Sequence, residues 1–336
     1  VFGVDLVEWM VKLAAGDLPA LDTLSADLKP RGHSIQTRVY AEDPNKDFQP
    51  CAGLLSDVNF PQADHLRIDH WLSTGIEVSP FFDPMLAKVI VTAADRDTAI
   101  KQLDDALGDI SLYGIETNIG YVREILNTDV FKKGEIFTRY LNDFVSHPST
   151  IDVVNAGTLT TIQDYPARTG YWDVGVPPSG PFDAYSFRLG NRLLNNPDDV
   201  AGLEITLNGP TLRFNQDTEI VLTGAAMDVQ LDDQPVEFWQ VVKVGRGQTL
   251  KIGKTREAGA RAYLCIRNGI QCPEYLGSRS TFTLGQFGGH AGRAIRAGAV
   301  LHFTPSDSNL PATRLDPALR PATHRQCTLR VLYCPP

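Results

Sequence analysis

Arg67 and Asp69 stand two residues apart in HLRIDHWL, where apolar and polar residues alternate. Both side chains should therefore leave the same face of a strand. A little further on, EVSPFFDPMLAKV places Phe81, Phe82 and Asp83 before Pro84, a rigid turn whose aromatics could wall a small pocket. A guanidinium held there can stabilise an anionic oxygen through charge-assisted hydrogen bonds. The competing reading of Arg67 is a solvated arginine on a strand face. Arg38, in RVYAEDP, reads with Asp83 as ion pairing and turn formation around such a pocket.

A second constellation lies in GVPPSGPFD, where Pro178, Ser179 and Gly180 lead into a helix start at Asp183. Prolines and glycines fix this segment and should present backbone N–H groups beside a helix N-terminus, an arrangement suited to a small polar ligand. GLEITLNGP adds Glu204 and Asn208, and LGQFGGHAGRAIRAG adds Gly289, His290 and Arg293. Glycines there would let backbone approach a ligand closely. The plainer readings are a structural Pro-rich loop and a hydrogen-bonded loop histidine.

The elements that must carry these residues differ in texture along the chain. Strand-like alternation appears in RGHSIQTRVYA and HLRIDHWL, and MLAKVIVTA is rich in β-branched residues. RDTAIKQLDDALGDI changes to a helical period through Ile100, Leu103, Leu107 and Ile110, and TNIGYVREIL follows as a helix with Asn118 as its N-cap. The expectation is an α+β region with mainly antiparallel strands. After HPST the chain becomes mainly β, interrupted by one helix from Asp183 to Leu194. PSDSNLPATRLDPALRPATH reads as a surface loop or linker.

The 336 residues suit two domains, and a charge of −9 from 31 basic and 40 acidic residues argues against a dedicated nucleic-acid binder. No apolar run is long enough to span a membrane. The five cysteines form no C-x-x-C pair, and the histidines show no metal-ligand spacing, so free thiols and no metal site are expected. VFGVDLVEWMVKLAAG opens on a helix with Leu6, Met10 and Leu13 on one face and Gly16 as its stop, and LRVLYCPP ends abruptly. The chain therefore reads as an internal piece of a longer protein.

Five motifs occur in order: GVDLVEWMVKLAAG, RGHSIQTRVYAEDP, FQPCAG at Phe48–Gly53, LRIDHWLSTGIEVSPFFDPMLAKV and YGIETN at Tyr113–Asn118. They resemble the end of an ATP-grasp core (1–20) followed by the C-terminal domain of the biotin carboxylases (21–146). The resemblance implies that Arg67 lines the bicarbonate and biotin site and holds the biotin enolate. It implies that Arg38, Asp69 and Asp83 surround that pocket and that Ile115 lies toward the adenine side. ATP and Mg²⁺ would be bound mainly by residues upstream of Val1. Ala52 replaces the second proline of the family's F-x-P-x-P-G loop and should loosen it.

After a linker at 147–152, three further motifs cover about 153–336: TIQDYPARTGYWDVGVPPSGPFDAYSFRLGNRLL, VAGLEITLNGPTLRF and LGQFGGHAGRAIRAG. They resemble the first part of the carboxyltransferase domain of urea carboxylases and a component of the bacterial 5-oxoprolinases. This implies a cyclophilin-like barrel and a second half beyond RVLYCPP, where Cys334 replaces a usual glycine. The order of the two regions resembles the urea carboxylases, cytoplasmic biotin-dependent ligases that make allophanate from urea, ATP and bicarbonate. Biotin would be covalently held on a carrier domain absent here, since no Met-Lys-Met occurs. An allophanate hydrolase is a further partner on this reading. Urea would be met by acceptors on Glu204, Asn208 and Asp183, and by Arg293 and backbone donors, with Pro178, Ser179, Gly180, Gly289 and His290 around them. The alternatives are carboxylation of another small amide or guanidine, or a non-catalytic binding module.

Overall fold

The computed structural model describes residues 2–332 apart from 27, 257, 307–309, 312, 327 and 329, so Cys327 and Cys334 lie outside the described residues. The chain divides into two compact units, Val1–Ser146 and His147–Pro336. Among the described residues no helix is long and apolar enough to cross a membrane.

The first unit is built on a three-stranded antiparallel sheet in the order His33–Tyr40, Met85–Ala93, Leu66–His70. Alternation decides its faces. Val39, Val89 and Val91 are buried on one, with Ile35, Leu66 and Ile68 packed beside them. The helix Arg96–Asp109 adds Ile100, Leu103 and Leu107 to this core. Each such side chain contributes roughly 1.5–3 kcal/mol on burial. Asp95 starts the helix by accepting the Thr98 N–H at 2.8 Å. The opposite face of the sheet carries Gln36, Arg38, Arg67, Asp69 and Lys88.

Two local expectations change. The helix Leu6–Ala15 forms between the Asp5 cap and a left-handed Gly16 at φ 78°, but none of its residues is buried. Leu6, Met10 and Leu13 are all exposed, because the apolar stripe has no partner among the described residues. Asn118 precedes the helix Ile119–Leu126 without capping it. Its Oδ1 accepts the Tyr40 N–H at 2.9 Å and its Nδ2 donates to the Arg38 carbonyl at 3.2 Å. The register of the strand shifts between Val39 and Tyr40, and the buried amide matches both of its functions to that irregular backbone.

The second unit contains two antiparallel sheets. Seven strands run in the order Gln234–Pro235, Met227–Leu231, Thr249–Thr255, Thr211–Phe214, Thr150–Asn155, Val300–Phe303, Ile270–Gln271. Five run Leu159–Gln163, Gly202–Thr206, Arg261–Ile266, Thr218–Gly224, Val241–Val244. Val153, Leu212, Val229 and Leu250 of the first share one core with Leu203, Ile205, Leu222 and Leu264 of the second. The helix Ala184–Leu193 joins the five-stranded sheet through Phe187, which clusters with Val221, Tyr263 and Cys265. Central strands covered on both faces read as nearly continuous apolar runs, as TEIVLTG and RAYLCI do.

The barrel expectation is corrected: both sheets are open. Closure needs the first and last strands to pair, and here the edges remain distinct. Gln234–Pro235 and Ile270–Gln271 are only two residues long, and a proline at an edge has no N–H with which to extend the ladder. Alternation in sequence records which side chains face inward; it does not record whether a sheet closes. The 147–152 stretch is also more ordered than a linker, since the strand Thr150–Asn155 begins within it. The Pro-rich stretch after Phe303 is no free linker either. Thr313 and Leu315 bond to Val241 and Trp239, and the Leu310 N–H donates to Glu219 at 2.9 Å, so these residues lie along a sheet edge.

Candidate functional sites

In the first unit Arg38, Lys88 and Asp69 occupy one rung of the sheet, with Lys88 between the other two. Arg67 lies on the next rung, opposite Ile90. Its Nε donates to Asp69 Oδ1 at 3.0 Å, and the side chain is 73% exposed. That hydrogen bond, with the charge of Asp69, raises the Arg67 pKa above its ordinary value. Arg38 donates to the Tyr40 hydroxyl at 3.3 Å, and this contact, with Asp83 a weaker influence, raises its pKa. Asp83 fixes the turn by accepting the Met85 N–H at 2.8 Å. The structure thus brings Arg38, Arg67 and Asp69 onto one face, with Asp83 near its end.

The expected aromatic wall is absent from this unit. Phe81 and Phe82 are 88% and 80% exposed, so they enclose nothing around Arg67. The turn is set by backbone bonds to Ser79 and Asp83 instead. Ile115 packs against the buried core and lies over Gly53, where an added Cβ would meet its methyl at 3.1 Å. Lys88 was hidden in the sequence by its apolar neighbours in MLAKVIVTA. Counting by twos from Met85 separates it from its buried neighbours Ala87 and Val89 and sets it with Ile90, and among the described residues it has no bonded partner.

In the second unit the loop before Asp183 is held from beneath. Gly180 N–H donates to Gln163 Oε1 at 3.0 Å, Phe182 N–H to Glu204 Oε2 at 2.7 Å, and Asp183 N–H to the Tyr263 hydroxyl at 2.6 Å. The Pro178 carbonyl accepts from the Arg168 N–H at 2.9 Å. These N–H groups are committed within the protein and are not offered to a ligand, which corrects the sequence expectation. Ser179 is exposed, at φ 62°, beside Gly180 at φ 87°. Asp183 caps the helix by accepting the Ser186 N–H at 3.0 Å and also binds the Ser186 hydroxyl.

Glu204 is the junction of this arrangement. Besides Phe182, it accepts from the Tyr263 hydroxyl at 3.1 Å and pairs with Arg261, its side chain only 12% exposed. Burial, then the charge of Glu204, keeps the Tyr263 hydroxyl protonated far above the ordinary phenol range. Asp183 has both carboxylate oxygens occupied, and Glu204 Oε2 is taken by Phe182 and Tyr263, leaving Oε1 to face Arg261. Asn208 does not join them. Its backbone closes the turn to Thr158 and bridges Lys254, at the end of the strand away from Gly202.

Gly288 and Gly289 pack against Ser280 and Thr281. A Cβ at Gly288 would meet Ser280 O at 2.1 Å, and one at Gly289 would meet Thr281 Oγ1 at 1.9 Å. The close approach these glycines permit is to the protein itself. His290 is 9% exposed, and burial, then Arg293 and His302, lower its pKa to about 4. Arg293 has its Nε buried without a hydrogen bond, and burial lowers its pKa.

Two residues escaped the sequence reading here. Arg168 is fully buried; its Nε donates to Tyr275 O at 3.0 Å, its Nη2 donates to Ser280 O at 2.9 Å, and it lies 4.8 Å from the Phe287 ring centroid. It ties together the loops at 178, 275–280 and 287. Arg261 lies at the rim of the Pro–Gly loop, its guanidinium 5.7 Å from the Phe182 ring centroid. Arg168 lies inside the TIQDYPARTG motif without any local sign of its burial, and Arg261 stands in no motif; only the cross-strand register brings Arg261 near Glu204.

Residues 36–143 match the biotin carboxylase C-terminal domain, and residues 174–336 match the carboxyltransferase domain, subdomain A and B. The chain is 46% identical to the urea amidolyase of Lachancea kluyveri over 325 residues, 96% of this chain and 18% of that protein. It is 47% identical to the urea amidolyase of Saccharomyces cerevisiae over 92% of this chain and 17% of that protein. The crystal structure of the Kluyveromyces lactis urea carboxylase superposes with a TM-score of 0.87 at 44% identity, covering 96% of this chain and 29% of that one. The chain thus spans under a third of each of these relatives.

Proposed function

We propose, from the premise that the chain joins a biotin carboxylase C-terminal domain to carboxyltransferase sequence, that it is part of a biotin-dependent urea carboxylase. The activity is ATP- and bicarbonate-dependent carboxylation of biotin on a carrier domain, followed by carboxyl transfer to urea, giving allophanate. The observation that carries this reading is the continuous similarity to urea amidolyases across both units, over 96% of the chain. The domain limits taken with it are an ATP-grasp remnant at 1–20, the carboxylase C-terminal domain at 21–146 and the carboxyltransferase region from 153.

Arg67 fits an anionic oxygen. Its Nε is oriented by Asp69, while its remaining N–H groups stay available on an open sheet face. It would hold the ureido oxygen of a bound biotin, where its positive charge would favour an anionic oxygen. Arg38 and Lys88 add positive potential on the same face, and Asp83 fixes the turn beside it. Biotin supplies the nitrogen that accepts the carboxyl group. ATP and Mg²⁺ supply the activation of bicarbonate and would be bound chiefly by residues upstream; Ile115 is the candidate neighbour on the adenine side.

In the second unit the loop 177–183 and the strand carrying Glu204 form the receiving surface for the carboxyl group and urea. Free thiols at Cys51, Cys265 and Cys272 support a reducing, cytoplasmic setting. An allophanate hydrolase, on the same polypeptide or another, would consume the product.

The test is the complete polypeptide assayed for ATP cleavage and allophanate formation with and without urea. Urea-stimulated turnover is expected. Failure of urea to stimulate, with another small amide or guanidine stimulating instead, would overturn the assignment.

A further inference from the structure

A carboxyl group reaching the second unit needs a donor, and the Pro–Gly loop has bound the N–H groups of Gly180, Phe182 and Asp183 internally. The donor must then come from a side chain. Arg168 is fully buried, with its Nε and Nη2 committed to carbonyls. Arg279 donates to Cys272 O at 3.2 Å and pairs with Glu274 at 2.8 Å.

Arg261 differs from both. Its Nε lies 3.4 Å from Glu204 Oε1 without a hydrogen bond, and it has no other bonded partner among the described residues. Glu204 Oε2 is taken by the Phe182 N–H and the Tyr263 hydroxyl, so Glu204 steers Arg261 without saturating it. The guanidinium is held near the Phe182 ring, which is 83% exposed, and the Arg261 side chain is 30% exposed. A planar fork steered at its Nε edge, with its terminal nitrogens unbonded, matches a carboxylate bidentately.

We propose that Arg261 is the carboxylate-binding residue of the second site. Its terminal N–H groups receive the carboxylate being transferred, and Phe182 forms the apolar wall beside it. This rests on the carboxyltransferase reading and names the group that reading leaves unassigned. The same chemistry is offered by the incoming N-carboxyl group and by the carboxylate of the product.

The experiment compares wild type, Arg261→Met and Arg261→Lys in the complete polypeptide. It reads allophanate formed per ATP cleaved, KM and kcat for urea, and inhibition by added allophanate, with circular dichroism and melting to establish folding. Arg261→Met should lower allophanate per ATP by roughly 10–100-fold, mostly in kcat. Arg261→Lys keeps the charge facing Glu204 but not the fork, and should remain well below wild type. Allophanate inhibition that weakens together with kcat places the contact on the product carboxylate as well; inhibition left unchanged assigns it to the incoming group. Full recovery by Arg261→Lys would reduce Arg261 to the partner of Glu204 and overturn the proposal. So would wild-type coupling in a folded Arg261→Met. If wild type itself shows no urea-dependent turnover, the functional reading fails before Arg261 is tested.

Discussion

Asp69 stands directly opposite Lys88 across the first sheet, yet its carboxylate turns to Arg67, two residues along its own strand, at 3.0 Å. The choice leaves Lys88 beside Arg38 with no bonded partner among the described residues, while Arg67 is oriented. Like charges directly opposite in a sheet are unfavourable by themselves. With Arg67 beside them and Asp69 the counter-charge, they leave this face with an excess of positive charge.

That relationship separates two substitutions. Arg67→Ala removes the guanidinium and should lower bicarbonate-dependent ATP cleavage by the complete polypeptide roughly 100–1000-fold. Asp69→Asn leaves Arg67 in place but weakens the contact that orients it, and should cost about 3–10-fold, chiefly in kcat. Steady-state kinetics on both variants checks the order. Equal losses would mean that Asp69 does more than orient.

Gly288 tests whether the second unit's loop cluster is packed as described. It sits at φ 70°, and an added Cβ would meet Ser280 O at 2.1 Å and Arg168 Nη2 at 2.8 Å. Gly288→Ala should therefore destabilise this unit by about 3 kcal/mol, from backbone strain and overpacking together. Gly277 has a similar φ of 72° with nothing within 4 Å, so Gly277→Ala should cost only the strain, about 1 kcal/mol. Denaturant unfolding of the two variants checks the difference.

His290 gives a pH dependence of known sign. Its pKa is lowered from 6.5 to about 4 by burial, then by Arg293 and His302. Between those values the unfolded chain binds a proton that the folded chain refuses. The contribution of the neutral imidazole is complete above the unfolded value and is lost as pH falls from 6.5 toward 4. At most it amounts to about 3 kcal/mol. His290→Asn should flatten this part of the stability profile relative to wild type, measured by chemical denaturation at several pH values. Parallel profiles would place the acid sensitivity elsewhere.

Much of this protein was decided locally and is therefore legible in the sequence. Alternation put Leu66 and Ile68 on one face and Arg67 and Asp69 on the other, because side chains on a strand have period two whatever the strand packs against. Asp183 declared a helix start for the same reason: a cap acts within three residues. Most of the motifs fall in the stretches matched by the two domain models. What the sequence left open depends on partners distant along the chain. Asn118 serves a strand 78 residues away rather than its own helix, because a buried amide goes where both its donor and its acceptor are matched. The Pro–Gly loop could be recognised as rigid, but only the tertiary structure shows its N–H groups taken by Gln163, Glu204 and Tyr263. Sheet closure, the placing of Thr313 and Leu315 along a sheet edge, and the meeting of Arg261 with Phe182 are set by strand order. Strand order comes from burying a shared core, a property of the whole chain that no single segment encodes.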